Sequence, residues 1–115
     1  MKKFIFILLV SGIVFGMALP SFCADKGETL IIDVRTQAEW NNGHLEGAIL
    51  IPYDVIAEKI RSIVKEKHRK IYVYCRSGRR SQIAKESLEK LGYRDVVNLG
   101  SLEEAAKTMK RKIVR

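Results

Sequence analysis

Two cysteines, two prolines, two histidines and one tryptophan are all that 115 residues provide of these types. With Cys23 and Cys75 as the whole thiol complement, a disulfide-stapled scaffold is excluded and the fold has to rest on its core. Internal repeats and low-complexity linkers are missing as well, which leaves room for a single domain. Acids are in deficit, 13 against 21 lysines and arginines, for a net charge of +8.

The N-terminus has the layout of an export signal. Met1-Lys2-Lys3 is a short basic start, Phe4 to Leu19 runs without a charge, and Pro20, Ser21, Cys23 and Ala24 form a region of small residues. The apolar run is shorter than the ~20 residues a spanning helix needs, which disfavours an uncleaved anchor. Cleavage is placed before Asp25, giving a signal peptide over 1–24 and a domain over 25–115. Phe22 is bulky for the third position before that bond, and cuts after Ala18 or Ser21 are alternatives. Pro20-Ser21-Phe22 fits a lipoprotein signal at Cys23 poorly.

Removal of this segment changes the chemistry. Lys2 and Lys3 leave with no acid, so the net charge falls from +8 to +6. Cys23 leaves too, and an unpaired thiol in an exported protein marks a reactive residue. A domain of about 90 residues is small but above the size at which staples become obligatory. The basic residues are spread along the chain, and export argues against nucleic acid as a partner. The denser block Lys107, Lys110, Arg111, Lys112 and Arg115 reads as a solvated tail. Attraction of small anions to the region of Cys75 fits the charge best.

Cys75 opens the run Cys75-Arg76-Ser77-Gly78-Arg79-Arg80, between an apolar strand pattern and a helical one. A thiol becomes a strong nucleophile as the thiolate, which nearby cations and a helix N-terminus favour. Ser77 and Gly78 are small enough for the loop to curl with its N–H groups inward. A lone cysteine after a strand is often only a small buried hydrophobe. Such a residue gains nothing from three neighbouring arginines, so the reactive reading prevails.

The pattern around it alternates strand and helix. Thr29 to Val34 is a continuous apolar run, as in a strand buried on both faces. Thr36-Gln37-Ala38-Glu39 has capping-box spacing and predicts a short helix ended by Asn42-Gly43-His44. Ala48 to Ile51 is a second strand, stopped by Pro52. Tyr53 to Lys65 sets Ile56, Ile60, Ile63 and Val64 on one helical face. Ile71 to Tyr74 leads into Cys75, and from Arg79 the residues Ala84, Ser87, Leu88 and Leu91 recur at helical spacing until Gly92. Asp95 to Leu99 is one more strand, and Leu102, Ala105, Ala106 and Met109 form a narrow stripe on a last helix. This order predicts an α/β domain with a small, mainly parallel central sheet flanked by helices on both faces. Reactive groups in such sheets sit beyond the carboxyl ends of the strands, where Cys75 falls.

These residues resemble the rhodanese domain. Asp33-Val34-Arg35, Glu39-Trp40, Gly43-His44-Leu45, Gly47-Ala48 and Pro52 are similar to its opening signature, and Cys75 to Ser81 to its active-site loop. Gly92-Tyr93 through Val96 to Leu99-Gly100 resembles its closing segment. The match spans about residues 29–106 with all parts in order, and the short length and signal resemble the single-domain periplasmic rhodaneses of the phage-shock type. Leu50 stands where a polar residue is common, Ser101 where the family has a second glycine, and Ala105 near an expected aromatic position.

The resemblance implies a thiosulfate sulfurtransferase in the periplasm. Cys75 would take the outer sulfur of thiosulfate or a similar donor as a persulfide and pass it to cyanide or a thiol. It implies no metal or organic cofactor and a small anionic donor. The spread of charge and the export signal add the expectation of no nucleic acid and no membrane contact after signal cleavage. The sequence leaves the oligomeric state open, with a monomer as one state it allows. Arg76, Ser77, Gly78, Arg79 and Arg80 would bind the donor, with loop amides holding the persulfide charge. Asp33 and Arg35 would support the site by an ion pair, a structural role being favoured over a catalytic one. His44 is expected to satisfy a backbone group, His68 to be solvated and Trp40 to anchor the core. Two rivals remain: a non-catalytic sulfur carrier or binding module, and a Cys-dependent phosphatase. The phosphatase loop needs an arginine six positions after the cysteine, where this chain has Ser81.

Overall fold

In a computed structural model that describes residues 29–115, the first apolar run forms strand β1 (Leu30–Asp33) near the middle of a sheet. The expected signal peptide lies outside the described residues. Helix α1 (Gln37–Asn41) follows, then β2 (His44–Leu45), β3 (Ile49–Leu50) and helix α2 (Ile56–Ile63). Strand β4 (Lys70–Cys75), helix α3 (Arg79–Lys90), β5 (Asp95–Ser101), helix α4 (Leu102–Met109) and β6 (Ile113–Val114) complete the chain.

Four strands form the central sheet in the order β3-β1-β4-β5, every pair parallel. Parallel neighbours need crossovers, and helices that make them cover the faces. The two-residue period of the strands divides the core accordingly. Ile32, Val34, Ile71, Val73, Cys75 and Val96 face α2 and α3, which contribute Ile56, Ile60, Ala84 and Leu88. Ile31, Tyr74 and Leu99 face the other way, toward Leu45 and α4's Leu102 and Ala105. The expected architecture is the one found.

Local capping agrees with the sequence. Thr36 accepts from the Glu39 N–H while Glu39 reaches back to the Thr36 N–H, the reciprocal bonds of a capping box. Ser101 and Glu104 do the same for α4. This accounts for one departure from the family pattern. Ser101 has φ −83°, open to any residue, and its hydroxyl caps the helix where a glycine could not. Ala105, the other C-terminal departure, is fully buried in the second half of the core.

Four expectations need correction. Helix α2 begins at Ile56, because Tyr53 to Val55 form a turn closed by the Val55 N–H on the Pro52 carbonyl. Ile63 does not share the buried face: Ile56, Ile60 and Val64, four apart, point at the sheet and leave Ile63 at 42% exposure. Trp40 lies outside both core clusters and stacks on His44, ring centroids 3.5 Å apart. The basic C-terminus is not a free tail, since Ile113–Val114 pairs antiparallel with His44–Leu45 and Arg111 donates to the Glu46 carbonyl. Strand β2 would otherwise leave backbone groups without strand partners.

A buried polar chain ties these parts together at the carboxyl end of β1. The Leu45 N–H donates to the Tyr74 hydroxyl at 2.9 Å, which donates to Asp33 Oδ2 at 2.8 Å. Asp33, with no exposure, takes both Nε and Nη2 of Arg35, and Nη2 also donates to the Gly43 carbonyl at 2.6 Å. Burial works against the Arg35 charge, and the bonds and charge of Asp33 outweigh it, so its pKa is raised. Breaking a buried pair from one side leaves an uncompensated charge. Asp33→Ala is therefore expected to destabilise the fold by about 3–5 kcal/mol, measured by urea denaturation; a loss on the scale of a surface pair would contradict this account.

Candidate active site

Strand β4 ends at Cys75 and helix α3 begins at Arg79, so only three residues separate the thiol from a helix N-terminus. The turn is possible because Gly78 has φ +95°, a conformation that side chains resist. A Cβ there would also sit 3.4 Å from the Gly100 Cα. The result aims the chain back on itself, and the Gly78 N–H donates to Cys75 Sγ at 2.9 Å.

Two effects compete for the thiol. Burial is the largest and raises its pKa, because a thiolate loses its water. Hydrogen bonds from the Ser81 hydroxyl, and then from the Ser81, Gly78 and Ser77 amides, more than reverse this, and the net shift is downward. The sequence points to nearby cations and a helix N-terminus as the influences that favour the thiolate. The leading favourable contributions are instead donors that the loop itself presents.

Ser81, in the sequence a residue of the loop and the position where a phosphatase would need arginine, is fully buried within reach of the sulfur. Its single hydroxyl proton has three acceptors within reach: Asn98 Oδ1 at 2.6 Å, the Gly78 carbonyl at 3.1 Å and Cys75 Sγ at 3.4 Å. Asn98, on β5, was missed altogether. Its amide nitrogen donates to the same Gly78 carbonyl at 3.1 Å, and its oxygen also accepts the Gly100 N–H. An irregularity in the β4–β5 register puts Asn98 opposite Val73 and Gly100 opposite Tyr74, so β5 carries one extra residue beside the site. Nothing local in the sequence signals a contact across 17 positions.

The three arginines divide. Arg76 and Arg79 are exposed, with no side-chain hydrogen bond or ion pair among the described residues. Arg80 is engaged: its two terminal nitrogens meet the two Glu39 oxygens at 2.8 and 2.9 Å, a bidentate pair. Glu39 thus serves the α1 capping box and the Cys75 loop at once. Ser77 is exposed at the tip and Gly78 forms the turn, so the loop residues named from sequence come together, with Arg80 turned to an internal partner. Asp33 and Arg35 lie within the buried chain described above. His44 Nδ1 is 3.0 Å from the Trp40 carbonyl, the backbone contact expected of it, and His68 is exposed. Among the described residues no group of His, Cys, Asp or Glu is arranged to hold a metal ion.

A cleft of about 250 Å³ adjoins the loop, lined by Arg35, Glu39, Asn42, Arg76, Leu102 and Glu103. The arrangement is chemically that of a nucleophile. A buried sulfur with inward N–H donors can hold negative charge, and the exposed Arg76 at the cleft and Arg79 at the end of the loop can draw in an anion.

Comparison with known proteins agrees with this geometry. The family model of the Rhodanese-like domain matches residues 23–108. The thiosulfate sulfurtransferase PspE of Escherichia coli is 39% identical over 99 residues, covering 86% of this chain and 89% of that protein. A sulfurtransferase of Allochromatium vinosum is 38% identical over 82 residues, 71% of this chain and 75% of the relative. Among solved structures, a rhodanese with anions from E. coli superposes with a TM-score of 0.70 at 36% identity, over 76% of this chain and 99% of that one.

The Arg80 fork has a measurable consequence. Its hydrogen bonds lead the lowering of the Glu39 carboxyl from 4.5 to about 2, against an opposing effect of burial. A carboxyl depressed on folding stabilises the chain above its unfolded pKa and loses that contribution as pH falls through the folded value. Stability is thus expected to decline between pH 4.5 and about 2 in part through this group. Glu39→Gln should flatten that part of the profile in denaturation at stepped pH; an identical slope would show that the pair contributes nothing.

Proposed function

Because this chain belongs to the rhodanese-like domain family, we propose that it carries sulfane sulfur on Cys75, from thiosulfate or a similar anionic donor to cyanide or a thiol. Sulfur transfer itself follows from the family and from the relatives that share most of its length. The observation that supports Cys75 as the carrier is the thiol buried among inward N–H donors, with its pKa lowered by them.

The chemistry follows in two displacements. The Cys75 thiolate attacks the outer sulfur of thiosulfate, a sulfur–sulfur bond forms at Sγ, and the donor's own sulfur–sulfur bond breaks to release sulfite. The remaining negative charge sits on the outer persulfide sulfur, within reach of donors arrayed around the loop. An acceptor nucleophile then attacks that outer sulfur, and Cys75 departs as the thiolate that began the cycle. Arg76 and Arg79 draw the dianion to the loop, Ser77 and Gly78 provide amides and the turn, and Arg80 holds the loop against α1 through Glu39. Asp33 and Arg35 support this edge of the sheet from behind. The chain needs no organic cofactor for these steps.

The loop also speaks against phosphate-ester hydrolysis. The position where a phosphatase loop requires its arginine is Ser81, buried against the sulfur, and Arg80 is bound to Glu39. The reading further includes export: residues 1–24 as a cleaved signal peptide, residues 25–115 as the working domain, the periplasm as its compartment and a monomer as its state. Among the described residues no helix is long and apolar enough to cross a membrane. Edman sequencing of the exported protein would test the cleavage site, with Asp25 as the expected first residue.

Intact-mass analysis after thiosulfate treatment tests the carrier role. The wild-type protein is expected to gain one sulfur atom and Cys75→Ser none. A gain that persists in the serine variant would overturn the assignment. Repeated turnover with thiosulfate and cyanide marks an enzyme, and a single stoichiometric loading marks a carrier.

A further inference from the structure

Glu103 is out of place in a site made only for an anion. It lines the cleft beside the Cys75 loop, where a free carboxylate would repel thiosulfate. The cleft stands just past the carboxyl ends of three strands: Arg35 lies beyond β1, Arg76 follows Cys75, and Leu102 follows Ser101. Cys75 and Ser101 are register partners on β4 and β5, so Arg76 and the start of α4 leave the sheet side by side.

The four charged residues of the cleft form two kinds. Arg35 is neutralised by Asp33 and Glu39 by Arg80. Arg76 and Glu103 are exposed, and neither side chain has a hydrogen bond or ion pair among the described residues. Glu103 is not needed to start α4 either, because Glu104 closes the capping box with Ser101. Its general benefit near the helix dipole is small for an exposed, solvent-screened side chain. One uncommitted cation and one uncommitted anion, on two different elements, complement a molecule that carries both signs. The cleft, at about 250 Å³, is smaller than the pockets of about 300–1,000 Å³ that take drug-sized ligands, and so suits one of amino-acid size.

We infer that this cleft is the acceptor subsite and that it selects small zwitterionic aminothiols, with the acceptor carboxylate on Arg76 and its ammonium on Glu103. The inference rests on the persulfide reading above. The bound thiolate attacks the outer sulfur of the Cys75 persulfide anion; the bond from that sulfur to Sγ breaks, Cys75 leaves as a thiolate, and the acceptor leaves as its own persulfide anion. No external oxidant or reductant enters, since one sulfur–sulfur bond replaces another.

The test separates the two half-reactions. Wild-type, Glu103→Gln and Glu103→Lys proteins are loaded with thiosulfate and checked by mass. Sulfur removal is then timed in single turnovers with cysteine, cysteamine, N-acetylcysteine and cyanide. Each thiol rate is expressed relative to cyanide in the same protein, and these ratios are compared between proteins, which cancels intrinsic thiol reactivity. Glu103→Gln is expected to lower the ratios for cysteine and cysteamine by about two- to fivefold, the scale of an exposed ion pair, and to spare N-acetylcysteine, which has no ammonium. Glu103→Lys should lower the cysteamine ratio further and raise that of N-acetylcysteine. Equal ratios across all three thiols in loaded variants would overturn the acceptor subsite and leave the persulfide in place. Failure of the wild-type protein to load would overturn both.

Discussion

A thiolate buried at the end of a strand is costly unless donors replace the water it has lost. In this chain the replacement is local and built into the backbone. Gly78, held at positive φ, points its N–H at Cys75 Sγ, and the Ser81 hydroxyl rises from the first turn of α3 toward the same atom. Asn98 braces the turn from β5 by donating to the Gly78 carbonyl, and its Oδ1 competes with Sγ for the one Ser81 hydroxyl proton. Without that brace the donors would have to be reorganised at the moment charge develops, and preorganisation is where much of such stabilisation lies. The sheet matters to function because it sets β5 beside β4 at the distance this brace requires.

The arginines then take a different place in the account. Charge in the loop looks, in one dimension, like a uniform anion trap. In three dimensions Arg80 is a strut between the loop and α1, Arg76 faces the cleft, and Arg79 remains exposed on the first turn of α3. On the proposed function, attraction of the donor and stabilisation of the sulfur fall to separate groups. Exposed cations raise the local concentration of anions and are screened by salt, whereas the buried amides act on the sulfur at short range.

Much of this was legible in the sequence because it is local. The capping box at Thr36, the apolar strands, the stop at Pro52 and the glycine of the Cys75 turn all express themselves within a few residues. The same holds for the two-faced parallel sheet and for the place of Cys75 at the end of one of its strands. What escaped depends on pairings far apart in the chain. The Glu39–Arg80 fork spans 41 positions and the Ser81–Asn98 bond 17, and neither leaves a periodic trace. Strand β6 was too short for any pattern and lay among charges that suggested solvent. Ile63 fell on the wrong side because a helical face was read one position too wide. Trp40 was assigned to the core by residue type, when its stacking partner was the nearby His44.

The central claim is that hydrogen bonds from the loop and Ser81, more than arginine charge, lower the pKa of the Cys75 thiol. Titration of the Cys75 thiolate by its ultraviolet absorbance, with Cys75→Ser as the blank, tests it most directly. The wild-type thiol is expected to ionise below the ordinary cysteine range, Ser81→Ala to move it upward, and Arg76→Gln to move it less than Ser81→Ala does. A wild-type thiol that titrates at or above the ordinary range, or one that responds more to the loss of Arg76 than of the Ser81 hydroxyl, would contradict the account.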